Sequence, residues 1–386
     1  MAGKGDIAML EKGMDYDDVI SEVEKALSED FHFEDGKILG SMCTQPLDVA
    51  IDTHGMFIES NLGNPGLYPG TRRLQAKIVE MVADLLNGKG VTGRVLEGGT
   101  EANLTALWVA RNLTGRKEVI LGQNAHFSIR KACDILRMVP REVPVDENHV
   151  MDVRDVERRI GEDTAAVVAT AGTTEFGLVD PIDELSRLCE DKTWLHVDAA
   201  WGGFILPFVD DVPVFDFRNS GLSSMNIDGH KMGMSTIPSS VFLLRKEEDL
   251  QNIAFESPYL TSVFQTTVLG TRSSAGVASL YATIMSMGRE GYRKNVDECM
   301  RRTRMLARAV KDMGIGLVTE PVTNILAVRL RDPVGVKEHL ERRGWHLSLA
   351  RHPEALRLVI MPHATDEALD VFIEDMISEC RELGEI

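Results

Sequence analysis

Two spacings of apolar residues recur along the chain and divide it into segments. Between residues 14 and 28, Val19, Ile20, Val23 and Leu27 fall near helical spacing. They predict an amphipathic N-terminal helix. The Gly/Pro-rich stretch NLGNPGLYPGT at 61–71 predicts a long loop, and 72–87 returns to a helical pattern. Long structured loops inside compact units are often functional. From about 90 to 245, short β-rich runs at 119–121, 165–170, 194–197, 224–227 and 241–244 alternate with helical patterns at 101–112, 129–137 and 182–190. Near-continuous apolar strands separated by helices predict an α/β unit whose mostly parallel sheet is covered on both faces. Such a sheet places its chemistry at the C-terminal ends of its strands.

A long helical pattern follows at 274–313, carrying the basic segment Arg301-Arg302-Thr303-Arg304, which reads as a solvated helix face. Strand and helix patterns then alternate at 324–330, 336–343, 356–361 and 367–383. They predict a small C-terminal α/β domain. The expected organisation is an N-terminal helical segment at 1–45, a large domain at 46–290 and the small domain at 291–386. No internal repeat or low-complexity linker interrupts it.

Composition narrows the function. The 386 residues carry 42 Lys+Arg against 60 Asp+Glu, a net charge of −18 with histidine neutral. That balance argues against non-specific nucleic-acid binding, which neutralises phosphates, and against docking on an anionic membrane. There is no ~18-residue apolar run of the kind a transmembrane helix needs. The stretch from Met1 to Asp18 lacks the apolar core of a signal peptide. Cys43, Cys133, Cys189, Cys299 and Cys380 are far apart, with no C-x-x-C pair. They read as reduced, intracellular and individually buried. The 10 histidines form no ligand-spaced cluster, so no dedicated zinc site is expected.

Three strings carry chemistry. Asn226-Ile227-Asp228-Gly229-His230-Lys231 ends a predicted strand. A lysine there is either an exposed side chain or, with a depressed pKa, an amine that forms a Schiff base. His196-Val197-Asp198-Ala199-Ala200-Trp201 ends another strand. Asp198 is either a helix cap or the partner of a protonated pyridine nitrogen, as in pyridoxal phosphate enzymes. Ala200 is small enough for a planar ring to lie against the backbone. Glu97-Gly98-Gly99-Thr100-Glu101-Ala102-Asn103 precedes a helical pattern, where glycines and free N–H groups suit a phosphate. The string matches neither dinucleotide nor P-loop spacing.

Together, in this order, the three are far more specific than any one alone. The chain resembles fold-type I pyridoxal-phosphate enzymes, specifically the group II amino-acid decarboxylases and their archaeal L-tyrosine/L-aspartate branch. The resemblance runs through GSMCTQP at 40–46, FIESNLGNPGLYPGT at 57–71, EGGTEANL at 97–104, AHFSIRKA at 125–132, TAGTTEFGLVDPI at 170–182, HVDAAWGGF at 196–204, DGHK at 228–231, GTRSSAG at 270–276 and LRLVIMPHAT at 356–365. One departure is Met232, where many members of the wider group carry Trp after His-Lys. It speaks against an animal-type or plant-type aromatic decarboxylase more than against decarboxylation.

The resemblance implies the following roles. Lys231 bonds the cofactor, with His230 and the backbone of Gly99, Thr100 and Glu101 near its phosphate. Asp198 keeps the ring nitrogen protonated, His126 stacks on one ring face and Ala200 packs on the other. Thr173 sits near the ring hydroxyl or Asp198. Gly270 and Thr271 reach the phosphate of a neighbouring subunit, which implies a homodimer. Arg357 holds the substrate carboxylate, Asn61 and Tyr68 lie near the substrate slot, and Tyr259 on a mobile loop donates a proton. The implied reaction is decarboxylation of tyrosine to tyramine or of aspartate to β-alanine, in the cytoplasm, for methanofuran or coenzyme A synthesis. Alternatives are a sphingosine-phosphate-type C–C lyase, a cysteine desulfurase, or a scaffold that has kept the fold without catalysis.

Overall fold

The computed structural model describes residues 9–386; residues 1–8 of the expected N-terminal segment lie outside them. The first half of the chain folds as α1 (Tyr16–Leu27), α2 (Asp48–Met56), α3 (Pro69–Leu85), β1 (Thr92–Leu96), α4 (Gly99–Thr114), β2 (Glu118–Gly122), α5 (Phe127–Leu136), β3 (Val139–Val143), α6 (Val153–Arg159) and β4 (Thr164–Thr170). It continues through α7 (Ile182–Cys189), β5 (Trp194–Asp198), β6 (Leu222–Asp228), β7 (Ser240–Leu244), β8 (Phe255–Glu256) and β9 (Phe264–Gln265). The remainder is α8 (Ser274–Asp312), β10 (Gly316–Leu317), β11 (Ile325–Arg329), α9 (Pro333–Arg342), β12 (Ser348–Arg351), β13 (Glu354–Val359) and α10 (Asp366–Glu382).

Seven strands form the large sheet in the order β1-β7-β6-β5-β4-β2-β3. Only β7 runs against the rest, pairing antiparallel with both β1 and β6. The central strand β4 shows why this sheet is buried on both sides. Val167 and Ala169 join Ile182, Leu185 and Phe204 on one face. Ala166 and Val168 join Ala106, Leu107, Ile129 and Cys133 on the other. A strand with two apolar faces needs helices over both, and the crossover helices supply them.

The expected small α/β domain has a sheet, but its four strands, in the order β10-β11-β13-β12, are all antiparallel. The hairpin joining β12 to β13 lets neighbouring strands run in opposite directions with no helix between them. Helix α8 runs from the large sheet towards this small one and bends at Gly288, whose φ is 55°.

Two N-terminal features matter for the site. Helix α1 has the predicted apolar positions, but none of its residues is buried. Residues 37–40 form a strap along the small sheet. His346 N–H donates to Lys37 O, Leu39 N–H to His346 O, and Val359 N–H to Leu39 O. Leu39 is buried in the same core as Trp345, Leu356 and Phe372. The expected division at residue 45 does not separate these contacts, because the strap is built into the C-terminal core.

Candidate active site

The C-terminal ends of the parallel strands converge on a cavity of about 310 Å³. Its walls include Gly98, Gly99 and Thr100 at the start of α4, His126 before α5, Thr170 at the end of β4, Asp198 at the end of β5 and Ala200 just after it. Asp228, His230 and Lys231 close it from the end of β6. The three strings singled out in the sequence therefore meet at one place.

Gly98 holds φ at 137°, which a side chain disfavours, and this turn brings the open N-terminus of α4 against the cavity. The first N–H groups of a helix have no acceptor within it, so they offer an anion site. At the end of β5, Asp198 accepts hydrogen bonds from Asn103 Nδ2 (2.8 Å), Ala200 N–H (3.1 Å) and Asn226 Nδ2 (3.3 Å). Burial pushes its pKa up, but Lys231 and these donors outweigh burial, so the carboxylate stays charged. Lys231 Nζ lies 3.0 Å from Asp228 Oδ2. Burial pulls the lysine pKa down, yet Asp228 and Asp198 outweigh it and the net shift is upward. Two carboxylates thus stabilise the ammonium. His230 Nδ1 donates to Ser239 O (2.7 Å). His126 caps α5, and burial lowers its pKa.

These residues fit pyridoxal phosphate. An anion-binding helix end, an amine and a charged carboxylate surround a cavity within the lower range of small-molecule sites. Asn226 Oδ1 and Asp228 Oδ1 are also buried without any partner of their own.

Other expected residues lie elsewhere within the chain. Thr173 does not line the cavity. Its hydroxyl accepts Leu178 N–H (3.0 Å) inside a turn, and Thr174 and Gly172 take the wall position. The Glu101 carboxylate turns back to accept Glu97 N–H (2.8 Å) and Leu269 N–H (3.3 Å). Asn61 Oδ1 is committed to Gly63 N–H (2.8 Å) and Arg272 N–H (3.2 Å). Tyr68 precedes α3, outside the cavity. Gly270 and Thr271 are also outside it; a Cβ on Gly63 would collide with Gly270 O, so the two loops are in close contact. Tyr259, on the β8–β9 loop, is 84% exposed.

Arg357 on β13 is 5% exposed. Its Nε donates to Thr174 O (2.6 Å) on the cavity wall, and its Nη1 donates to Ser348 Oγ (2.9 Å) and Gly40 O (3.3 Å). Its Nη2 is buried without a partner. Burial pulls its pKa down to about 10, with Glu175 opposing. Arg351, on β12, is exposed, and its backbone N–H donates to Glu175.

Sequence reasoning missed Asn103, Ser128 and Asn226 as site residues, and Thr174 beside Thr173. Asn103 and Asn226 were inside the motif strings; only a buried polar residue among apolar neighbours marked them.

Comparison with known proteins agrees with this geometry. Residues 20–331 match the family described as the pyridoxal-dependent decarboxylase conserved domain. The chain is 45% identical to a probable L-tyrosine/L-aspartate decarboxylase of Methanothrix thermoacetophila, covering 95% of this chain and 96% of that one. It is 44% identical to a probable L-aspartate decarboxylase of Archaeoglobus fulgidus, covering 93% and 98%. Among solved structures it is similar to a sphingosine-1-phosphate lyase of Burkholderia pseudomallei, with a TM-score of 0.90, 26% identity, and 97% and 92% of the chains covered. A glutamate decarboxylase of Lactobacillus brevis shares the fold at a TM-score of 0.88 and 20% identity, over 98% and 95%. The family match, with 44–45% identity to the archaeal relatives named decarboxylases against 26% to the lyase, favours decarboxylation over the lyase alternative. The fold is that of the fold-type I enzymes, and the chain belongs to the pyridoxal-dependent decarboxylase family, as an enzyme whose cofactor is pyridoxal phosphate.

Proposed function

We propose that the enzyme removes the α-carboxylate of L-tyrosine or L-aspartate, releasing carbon dioxide and the corresponding amine. The observation that carries this reading is Arg357, a buried guanidinium beside the cavity wall with Nη2 unpartnered and no carboxylate of the described residues paired with it. A planar guanidinium holds a carboxylate in one orientation, which selects the bond to be broken. When bound, pyridoxal phosphate supplies the electron sink for the pair released from that bond. Asp198 would hold a proton at the ring nitrogen, Lys231 would bond the cofactor, and the N-terminus of α4 with His230 would receive its phosphate. His126 and Ala200 would flank the ring.

The cavity wall carries no arginine and no lysine besides Lys231. Among the described residues, this wall therefore offers a second substrate carboxylate no arginine, which favours tyrosine. The exposed positions of Tyr259, Gly270 and Thr271, and the half-buried Asn61 and Tyr68 outside the cavity, support a homodimer in which these residues serve the partner's cavity, with Tyr259 as the proton donor. The enzyme works in the cytoplasm, and its tyramine or β-alanine serves methanofuran or coenzyme A assembly. No helix of the described residues is long and apolar enough to cross a membrane.

The test is carbon dioxide release by the reconstituted enzyme across the standard amino acids, with products identified by mass. Amine from tyrosine or aspartate is expected. An aldehyde from C–C cleavage, or no carbon dioxide from any amino acid, overturns the reading.

A further inference from the structure

Behind the cavity, buried polar side chains from four elements form one connected chain. Trp194 Nε1 lies 2.8 Å from Ser224 Oγ, which lies 2.9 Å from His196 Nδ1. His196 Nε2 lies 2.9 Å from Asn103 Oδ1. Asn103 Nδ2 lies 2.8 Å from Asp198 Oδ2 and 2.9 Å from Ser128 Oγ, and Ser128 Oγ lies 2.8 Å from His126 Nδ1. Asn103, Ser128, His196 and Ser224 are each at most 1% exposed.

With His196 neutral, as its burial dictates, hydrogen-bond chemistry favours one arrangement of protons along this chain. An indole N–H only donates, so Ser224 accepts from Trp194 and gives its own hydrogen to His196 Nδ1. A carboxylate only accepts, so Asn103 turns its NH₂ towards Asp198 and its oxygen towards His196 Nε2, which donates. The second amide hydrogen of Asn103 goes to Ser128 Oγ. Ser128 then gives its hydroxyl hydrogen to His126 Nδ1, where its backbone N–H also points (3.3 Å). Two donors on Nδ1 leave His126 neutral with its proton on Nε2.

We propose that Asn103 is a positioning residue that ties the Asp198 carboxylate to the His126 imidazole through Ser128, fixing His126 as the neutral Nε2–H tautomer. The group under the ring nitrogen and the group over the ring face are then one hydrogen-bonded unit. The proposal rests on the cofactor site described above, but its geometry belongs to the chain alone. Burial and the fields of Asp198, Lys231, Asp228 and Lys131 also act on His126, and the substitutions below replace none of those residues.

The test is ¹⁵N correlation spectroscopy of histidine-labelled enzyme, with and without pyridoxal phosphate, the His126 signal being identified by its loss in His126→Gln. Wild type is expected to show one neutral Nε2–H tautomer. Ser128→Ala and Asn103→Leu should each mix the tautomers and raise the His126 midpoint by about 0.5–1 pH unit, the loss of one hydrogen bond. Ser128→Thr, which keeps the hydroxyl, should restore the wild-type signal. An unchanged His126 signal in folded Asn103→Leu, or a wild-type Nδ1–H tautomer, overturns the proposal. If Asn103→Leu does not fold, the wild-type tautomer and Ser128→Ala still decide. Wild type that shows the tautomer but gains no visible absorbance with pyridoxal phosphate refutes the cofactor site and leaves the proton arrangement standing.

Discussion

Arg357 and His196 show how much a single buried side chain decides here. Arg357 is held by three oxygens of the protein and keeps Nη2 for a ligand. Replacing it with glutamine removes a charged hydrogen bond to substrate, about 1.5–3 kcal/mol. The expected fall in kcat/KM, measured by steady-state decarboxylation, is therefore roughly 10- to 150-fold. His196 controls stability instead. Burial lowers its pKa, so below about pH 6.5 the unfolded chain takes up a proton that the folded chain refuses. Stability is lost as the pH falls, by up to about 1.4 kcal/mol per pH unit for each such group. Burial lowers the pKa of His126 and His363 in the same direction. Urea unfolding between pH 7 and 5 should show this slope, and His196→Gln should reduce it. Lys231, Asp198 and His126 were readable as site candidates because each closes or follows an apolar run. The partnership of Asn103 with Asp198 was not, since it spans 95 residues and leaves no spacing in the chain.

The turn into α4 depends on Gly98, whose φ of 137° places the helix end against the cavity. Gly98→Ala stores about 1–3 kcal/mol of backbone strain at that turn. We expect weaker pyridoxal phosphate binding with helix content unchanged, read by titration of the bound cofactor's absorbance and by circular dichroism. The hairpin of β8 and β9 carries Tyr259 into solvent. Tyr259→Phe should slow amine formation and raise abortive transamination, read as the ratio of amine to carbonyl product. Central strands were legible because burial on both faces leaves an unbroken apolar run. The edge strand β3 escaped notice because only Val143 of its five residues is buried. The reversal of β7 left no trace, since all five of its residues are buried whichever way the strand runs.

Across the whole molecule, the apolar face of α1 stands open, with Val19 43%, Ile20 37%, Val23 58% and Leu27 55% exposed. The helical period was plain in the sequence, but what covers the face is not written in a single chain. A second copy is the occupant that the homodimer reading supplies. Val23→Asp should then shift the sedimentation of the enzyme towards monomer and lower its activity at dilute concentration. The strap at residues 37–40 has a consequence of another kind, one of timing. It is synthesised well before the strands it joins, at 346–359, since Gly40 precedes Arg357 by 317 residues. During translation the strap has no sheet to join, and Gly40 O has no Arg357 to hold. The Gly40–Arg357 contact can therefore form only after residue 357 has emerged from the ribosome, and a chain that stalls after the large sheet lacks Arg357 altogether.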